Sequence, residues 1–253
     1  MPLEACMNYI SISFKVAAGL FVVGIGAVLQ TLILLALLPS RTARIRSCIV
    51  FERMIGWSLI RLLGCRLSVS GRELLDSRRP AIYVVNHTSI FDLFIALRIM
   101  PYGSVGVMKK EVVGYPFFGQ MYLLTGHLRV NRSRHAKAVA QMRSLGELVR
   151  RARLSIFMSP ECMRSPDGRL MEFKKGMVHL ALSTGLPVVP VVIGGAHRIW
   201  RKNSLSIHGG TVHVEVLPAV DTSAWSAERT DEAIEQIHSL FRRRLPEDQR
   251  PQT

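Results

Sequence analysis

The stretch Tyr83 to Phe94, YVVNHTSIFDLF, sets His87 five positions before Asp92. A neutral imidazole can take a proton from a hydroxyl at neutral pH, and a carboxylate on its other nitrogen would fix the tautomer and stabilise the cation formed. On a regular helix, positions five apart differ by roughly 140° around the axis, so the two side chains meet only if His87 precedes the helix. VVNH reads as the end of a strand and Ser89 as the N-cap of a helix starting at Ile90, which puts His87 on the turn between them. The same residues admit a plainer reading, because Ser89 and Asp92 have capping-box spacing and an acid in the first turn suits the helix dipole.

Further along lie GHLRVNR, with Gly126 and Arg132, and SPECMRS, with Glu161 and Arg164. Arg132, Glu161 and Arg164 fall at or beyond predicted strand ends, where α/β folds collect binding groups, and a guanidinium matches phosphate with a two-pronged fork. Lys109 and Lys110 precede them; Gly126 reads as a turn glycine. The cysteines at 6, 48, 65 and 162 have no paired spacing, which suggests a reducing compartment and neither a disulfide framework nor a metal site.

These groups need a scaffold. Short runs rich in valine and isoleucine (81–85, 105–108, 127–130, 154–158, 188–193 and 212–217) alternate with helical patterns at 90–99, 134–151, 173–183 and 231–244. The expectation is an α/β domain over residues 65–245, with a mixed, largely buried sheet flanked by helices. Before it, residues 17–38 carry no charge, enough at about 1.5 Å per residue to cross ~30 Å of hydrocarbon. Arg41, Arg44 and Arg46 follow, placing the downstream chain on the cytoplasmic side, with a shallow hairpin that never crosses as the alternative. Ile49 to Gly64 reads as an interfacial or packing helix, making residues 1–64 a membrane-associated unit. The tail 246–253 is expected to be disordered.

The net charge of +15 suits a phosphate-bearing partner, and between Arg129 and Arg153 eight basic residues face one acid. Lipid headgroups or an acidic acyl carrier fit; nucleic acid does not, for want of an aromatic-interleaved or recognition-helix motif.

From Asn86 onward the sequence resembles the 1-acylglycerol-3-phosphate acyltransferase family. Asn86, His87 and Asp92 match its NHxxxxD signature; Gly126 and Arg132 match the second. Pro160, Glu161, Arg164 and Ser165 match its FPEGTRS, while Ser159, Cys162 and Met163 depart from it; Pro190 in VVPVVI matches the fourth. KKEVVGYPFFGQMYLLTG, with Lys109, Lys110, Pro116 and Gly119, is also similar.

The resemblance implies an enzyme in which His87 is the base and Asp92 its orienting acid. Arg132 and Arg164 would hold the acceptor's phosphate, Glu161 would orient an arginine, and Lys109 and Gly126 would complete the substrate-binding set, Gly126 as a motif position rather than a chemical group. It implies an acyl-CoA or acyl carrier protein donor, lysophosphatidic acid as acceptor, no metal or bound cofactor, and a place at a membrane's cytoplasmic face, as in a bacterial inner membrane. The altered SPECMRS loop keeps open another acceptor, such as a lyso-ornithine lipid. A catalytically silent lipid-binding protein is the remaining alternative. Cys162 stands where the family has glycine; if the position needs positive φ, cysteine costs ~1 kcal/mol or more and the loop would differ in shape.

Overall fold

A computed structural model describes residues 3–114, 118–130 and 135–252. It opens with two long helices, α1 (Leu3–Ala36) and α2 (Arg41–Leu62). By length and composition, Ala17–Ala36 within α1 could cross a membrane. The helix expected from Ile49 begins at Arg41 instead, because Ser40 Oγ accepts the Ala43 N–H at 3.2 Å and caps it there. Gly19 packs against Leu62 and Gly26 against Ile55, so α1 and α2 form an antiparallel hairpin.

The domain follows as β1 (Cys65–Ser70), β2 (Ile82–Val85), α3 (Phe91–Ile99), β3 (Ser104–Lys109), α4 (Phe118–Thr125), β4 (Leu128–Val130), α5 (His135–Ala152), β5 (Ser155–Met158), α6 (Gly176–Thr184), β6 (Val188–Gly194), α7 (Ala196–Ile199), β7 (Gly210–Val216) and α8 (Thr230–Arg244). The seven strands form one sheet in the order β1-β7-β6-β2-β5-β3-β4. All neighbours are parallel except β6 and β7. The mixed, helix-flanked sheet expected from the sequence is therefore present. β1 and α4 are additions to the expected elements: β1 is an edge strand, and CRLSVS alternates without the valine and isoleucine runs that mark the inner strands.

Side-chain alternation along the central strands builds two cores. Ile82, Val84, Ile156 and Met158 join the core under α5, α6 and α8, whereas Tyr83, Val85, Phe157 and Val191 join the one under α3. α2 packs against α3, and Arg53 caps the carboxyl end of α3 by donating to the Met100 carbonyl from Nε (3.2 Å) and Nη2 (3.0 Å). α2 is tied to the sheet as well. His127 Nδ1 accepts the Gly106 N–H at 3.1 Å, which leaves its proton on Nε2 to donate to Glu52 Oε1 at 3.1 Å. Cys48 completes this buried group, and since Nε2 carries the proton and the Nδ1 lone pair is taken by the Gly106 N–H, the trio forms a hydrogen-bonded tether.

The tail departs from expectation. Glu247–Gln249 forms a 3₁₀ turn, and Gln249 is fully buried against the domain. Polar composition suggested disorder, but specific hydrogen bonds hold these residues.

Candidate active site

β2 is flanked by β5 and β6 at the centre of the sheet, and its carboxyl end delivers Asn86 and His87. Asn86 is wholly buried and extends the ladder past the end of the strand. Its Nδ2 donates to the Ile193 carbonyl at 2.9 Å and its Oδ1 accepts the Ile193 N–H at 2.7 Å. The turn is thereby fixed before the histidine is reached.

His87 Nδ1 lies 2.9 Å from Asp92 Oδ2, with the histidine side chain 30% exposed and the aspartate 3%. The same oxygen accepts the N–H of Thr88 at 2.7 Å and of Ser89 at 2.8 Å. Dyad and cap are thus one arrangement, because a single carboxylate oxygen serves the imidazole and the helix start together. Oδ2, already accepting two N–H groups, is the acceptor facing the imidazole as well, which sets the histidine proton on Nδ1 and leaves a lone pair on Nε2. α3 begins at Phe91, one residue beyond the expected start; Ser89 Oγ accepts the Phe91 N–H at 3.0 Å and donates to the Trp200 carbonyl at 2.5 Å.

The segment after β5 folds onto this turn. Glu161, expected to orient an arginine, takes backbone donors instead: His87 N–H at 2.6 Å on Oε1 and Met171 N–H at 3.1 Å on Oε2. The Ser165 N–H in turn donates to the His87 carbonyl at 2.9 Å. Sequence alone could not have revealed this role, since the donors are backbone groups of distant residues. Burial pushes the Glu161 carboxyl from the usual 4.5 up to about 8, against the pull of those two N–H groups, with the nearby Asp92 charge adding to the rise.

A carboxyl that binds its proton more tightly when folded makes the native state most stable below about pH 4.5, with stability falling as pH rises to about 8. Glu161→Gln removes that term. Thermal melts of both proteins between pH 5 and 8 should show the wild type losing ground to the variant; parallel profiles would mean that Glu161 is ionised throughout.

Arg164 lies on the same loop, with Nη1 buried and without a hydrogen-bond partner among the described residues, while its carbonyl accepts from Lys202 Nζ at 3.0 Å. Its neighbour Ser165 binds the His87 carbonyl, which puts Arg164 on the loop that touches the histidine turn. Cys162 has φ +66°, in the left-handed region that favours glycine, the residue the family motif has at this position. Cys162→Gly should stabilise the protein by about 1 kcal/mol, raising the melting midpoint by about 2–4 °C. An unchanged or lower midpoint would show that contacts of the thiol outweigh the backbone strain.

The remaining expected site residues are dispersed. Lys109 ends β3, two strands from β2, and is exposed. Arg132 and Pro116 lie outside the described residues. Gly126 does not belong to the edge that carries His87. The register pairs Leu128 with Val107 and aligns Val105, Ile156 and Ile82 across the sheet, so Gly126 is level with the beginning of β2. Its φ of +84° and an approach that would set a Cβ 2.9 Å from Arg41 Cγ explain the glycine by backbone geometry. Arg41, Arg44, Lys110 and Arg129 line a cavity of about 470 Å³ beside Gly126 that does not include His87.

The geometry can be set beside known proteins. A model of the acyltransferase family matches residues 66–194. The 1-acyl-sn-glycerol-3-phosphate acyltransferase of Limnanthes alba is 39% identical over 94% of this chain and 84% of its own. The enzyme of that name from Escherichia coli K12 is 32% identical over 78% of this chain and 79% of its own. The crystal structure of the 1-acyl-sn-glycerophosphate acyltransferase PlsC from Thermotoga maritima superposes with a TM-score of 0.72, covering 94% of this chain and 97% of that one at 22% identity, which is a likeness of fold. Family model and relatives together confirm the resemblance carried by NHTSIFD and SPECMRS: the chain belongs to the 1-acylglycerol-3-phosphate acyltransferase family and is an acyltransferase.

Proposed function

We propose that the protein transfers a fatty acyl group from an acyl-CoA or acyl carrier protein thioester to the free hydroxyl of lysophosphatidic acid, with His87 as general base. The observation carrying this reading is the 2.9 Å contact between His87 Nδ1 and Asp92 Oδ2, which leaves the Nε2 lone pair for the acceptor. Nε2 takes the hydroxyl proton as the oxygen attacks the thioester carbonyl. The C–S bond then breaks, and the departing thiolate takes the proton back from the imidazolium, giving an ester and a free thiol. Asp92 stabilises the cation in between. The acceptor supplies the nucleophile, so no serine is needed.

Arg164, and Arg132 by its match to the family motif, would grip the acceptor's phosphate with charge-assisted hydrogen bonds of about 1.5 to 3 kcal/mol each. The positive φ at Cys162 is one that a glycine adopts freely, so the substitution there is no reason to set lysophosphatidic acid aside for a lyso-ornithine lipid. Offering both acceptors to one preparation tests this. At least a tenfold higher kcat/KM for lysophosphatidic acid is expected, roughly 1.4 kcal/mol in transition-state binding; the opposite preference would overturn the acceptor and leave acyl transfer standing.

The hairpin suits attachment to a membrane's cytoplasmic face, the bacterial inner membrane included. α2 carries Arg41, Arg44, Arg46, Glu52, Arg53 and Arg61 and cannot cross hydrocarbon. Since α1 packs along α2, the pair fits a shallow insertion better than a span. Val50, Met54 and Trp57 form an exposed stripe on α2 beside the exposed leucines of α1, and this apolar face would enter the lipid.

A further inference from the structure

Glu161 is held at one end by His87, and the segment Gly168–Met171 that meets its other end is in turn held by the tail. Gln249, with no exposed surface, makes two contacts there and a third with the turn before α7. Its carbonyl accepts the Leu170 N–H at 2.8 Å, its side-chain Oε1 accepts the Gly195 N–H at 2.7 Å, and its Nε2 faces the Gly168 carbonyl at 3.5 Å. Neighbouring tail residues reinforce the hold: Asp248 accepts from Arg198 Nη2 at 2.6 Å, and the Arg250 carbonyl accepts from Arg169 Nη1 at 3.0 Å. Gly168 has φ +88° and lies against the His197 ring, where an added Cβ would fall 2.6 Å away, so only glycine fits at this point of the segment.

One residue after Leu170, the Met171 N–H binds Glu161 Oε2, and Glu161 Oε1 binds the His87 N–H. Three hydrogen bonds and the peptide link between Leu170 and Met171 therefore connect the backbone of Gln249 to the backbone of the histidine. A glutamine placed in a dry interior is costly unless its amide is matched, and here every partner is a backbone group of the loop or of the turn before α7. The side chain spends its polarity on locating those two segments.

We propose that Gln249 is a positioning residue for acyl transfer, fixing Gly168–Met171 and, through Met171 and Glu161, the backbone that aims His87. The proposal rests on His87 as the base. It places a functional requirement about 55 residues beyond the end of the matched family region, in a tail whose composition suggests disorder. A residue that only filled volume could be replaced by an apolar side chain of similar size, whereas a positioning residue could not.

The test uses the full-length enzyme with lysophosphatidic acid and palmitoyl-CoA, comparing wild type, Gln249→Met and Gln249→Ala. Both variants should lose about 10- to 100-fold in kcat per folded molecule, as expected for a misplaced base, with KM for each substrate within about twofold. Wild-type kcat in Gln249→Met would overturn the proposal. Should the variants not fold, amide exchange in the wild type decides instead. Leu170, Met171 and His87 should open together; a Leu170 amide exchanging freely while Met171 and His87 stay protected would overturn it. A dead His87→Ala beside a fully active Gln249→Met would sink the positioning proposal alone, whereas an active His87→Ala would sink the base assignment on which it rests.

Discussion

His87→Ala is expected to lower kcat by about 10²- to 10⁴-fold while leaving the protein folded. The imidazole is the group on the site's edge with a lone pair facing outward and an acid behind it, so no neighbour can replace it. Glu161 is buried and spends both oxygens on backbone N–H groups. The stability cost should be small. The side chain is 30% exposed, and its removal leaves Asp92 Oδ2 with the N–H groups of Thr88 and Ser89. One lost hydrogen bond is worth about 1 kcal/mol, or roughly 2–4 °C in melting midpoint for a chain of this size. Turnover of the purified, folded variant near the wild-type rate would show that another group takes the proton.

How far the site was legible in the sequence depends on whether side chains or backbone groups do the work. The meeting of His87 and Asp92 is legible because an imidazole and a carboxylate at that spacing can meet only across a strand-to-helix turn, and VVNHTS reads as one. The inner strands were found because a sheet covered on both faces demands continuous apolar runs, as in VVPVVI. Glu161 was found but misread: a carboxylate suggests a cationic partner, and nothing in SPECMRS tells that the N–H groups of His87 and Met171 arrive first. Gly126 marks a similar limit, since the sequence shows a glycine there but not its cause, the backbone turn against Arg41. β1 escaped notice because an edge strand needs only alternation, and the tail because Gln249 is recognisable only from its partners.

Asp92→Asn tests whether cap and dyad, joined in one oxygen, can be separated. The two N–H groups of Thr88 and Ser89 pin the side-chain oxygen at its present position, because a flipped amide would point donors at donors. Asparagine therefore keeps the cap geometry, at the cost of turning charge-assisted hydrogen bonds into neutral ones, about 1 to 2 kcal/mol of stability. What it cannot keep is the negative charge 2.9 Å from His87 Nδ1. Its neutral oxygen, with two lone pairs already taken by the amides, binds the imidazole weakly, so the ring loses its orientation and the developing imidazolium loses its counter-ion. kcat/KM should fall by about 10²-fold or more, nearly 3 kcal/mol in transition-state stabilisation and more than the fold itself loses. Paired measurements of turnover and denaturant midpoint separate the two roles. A variant that unfolds readily yet turns over at the wild-type rate would reduce Asp92 to a helix cap, and the proton-transfer role of His87 would then need a different partner for its second nitrogen.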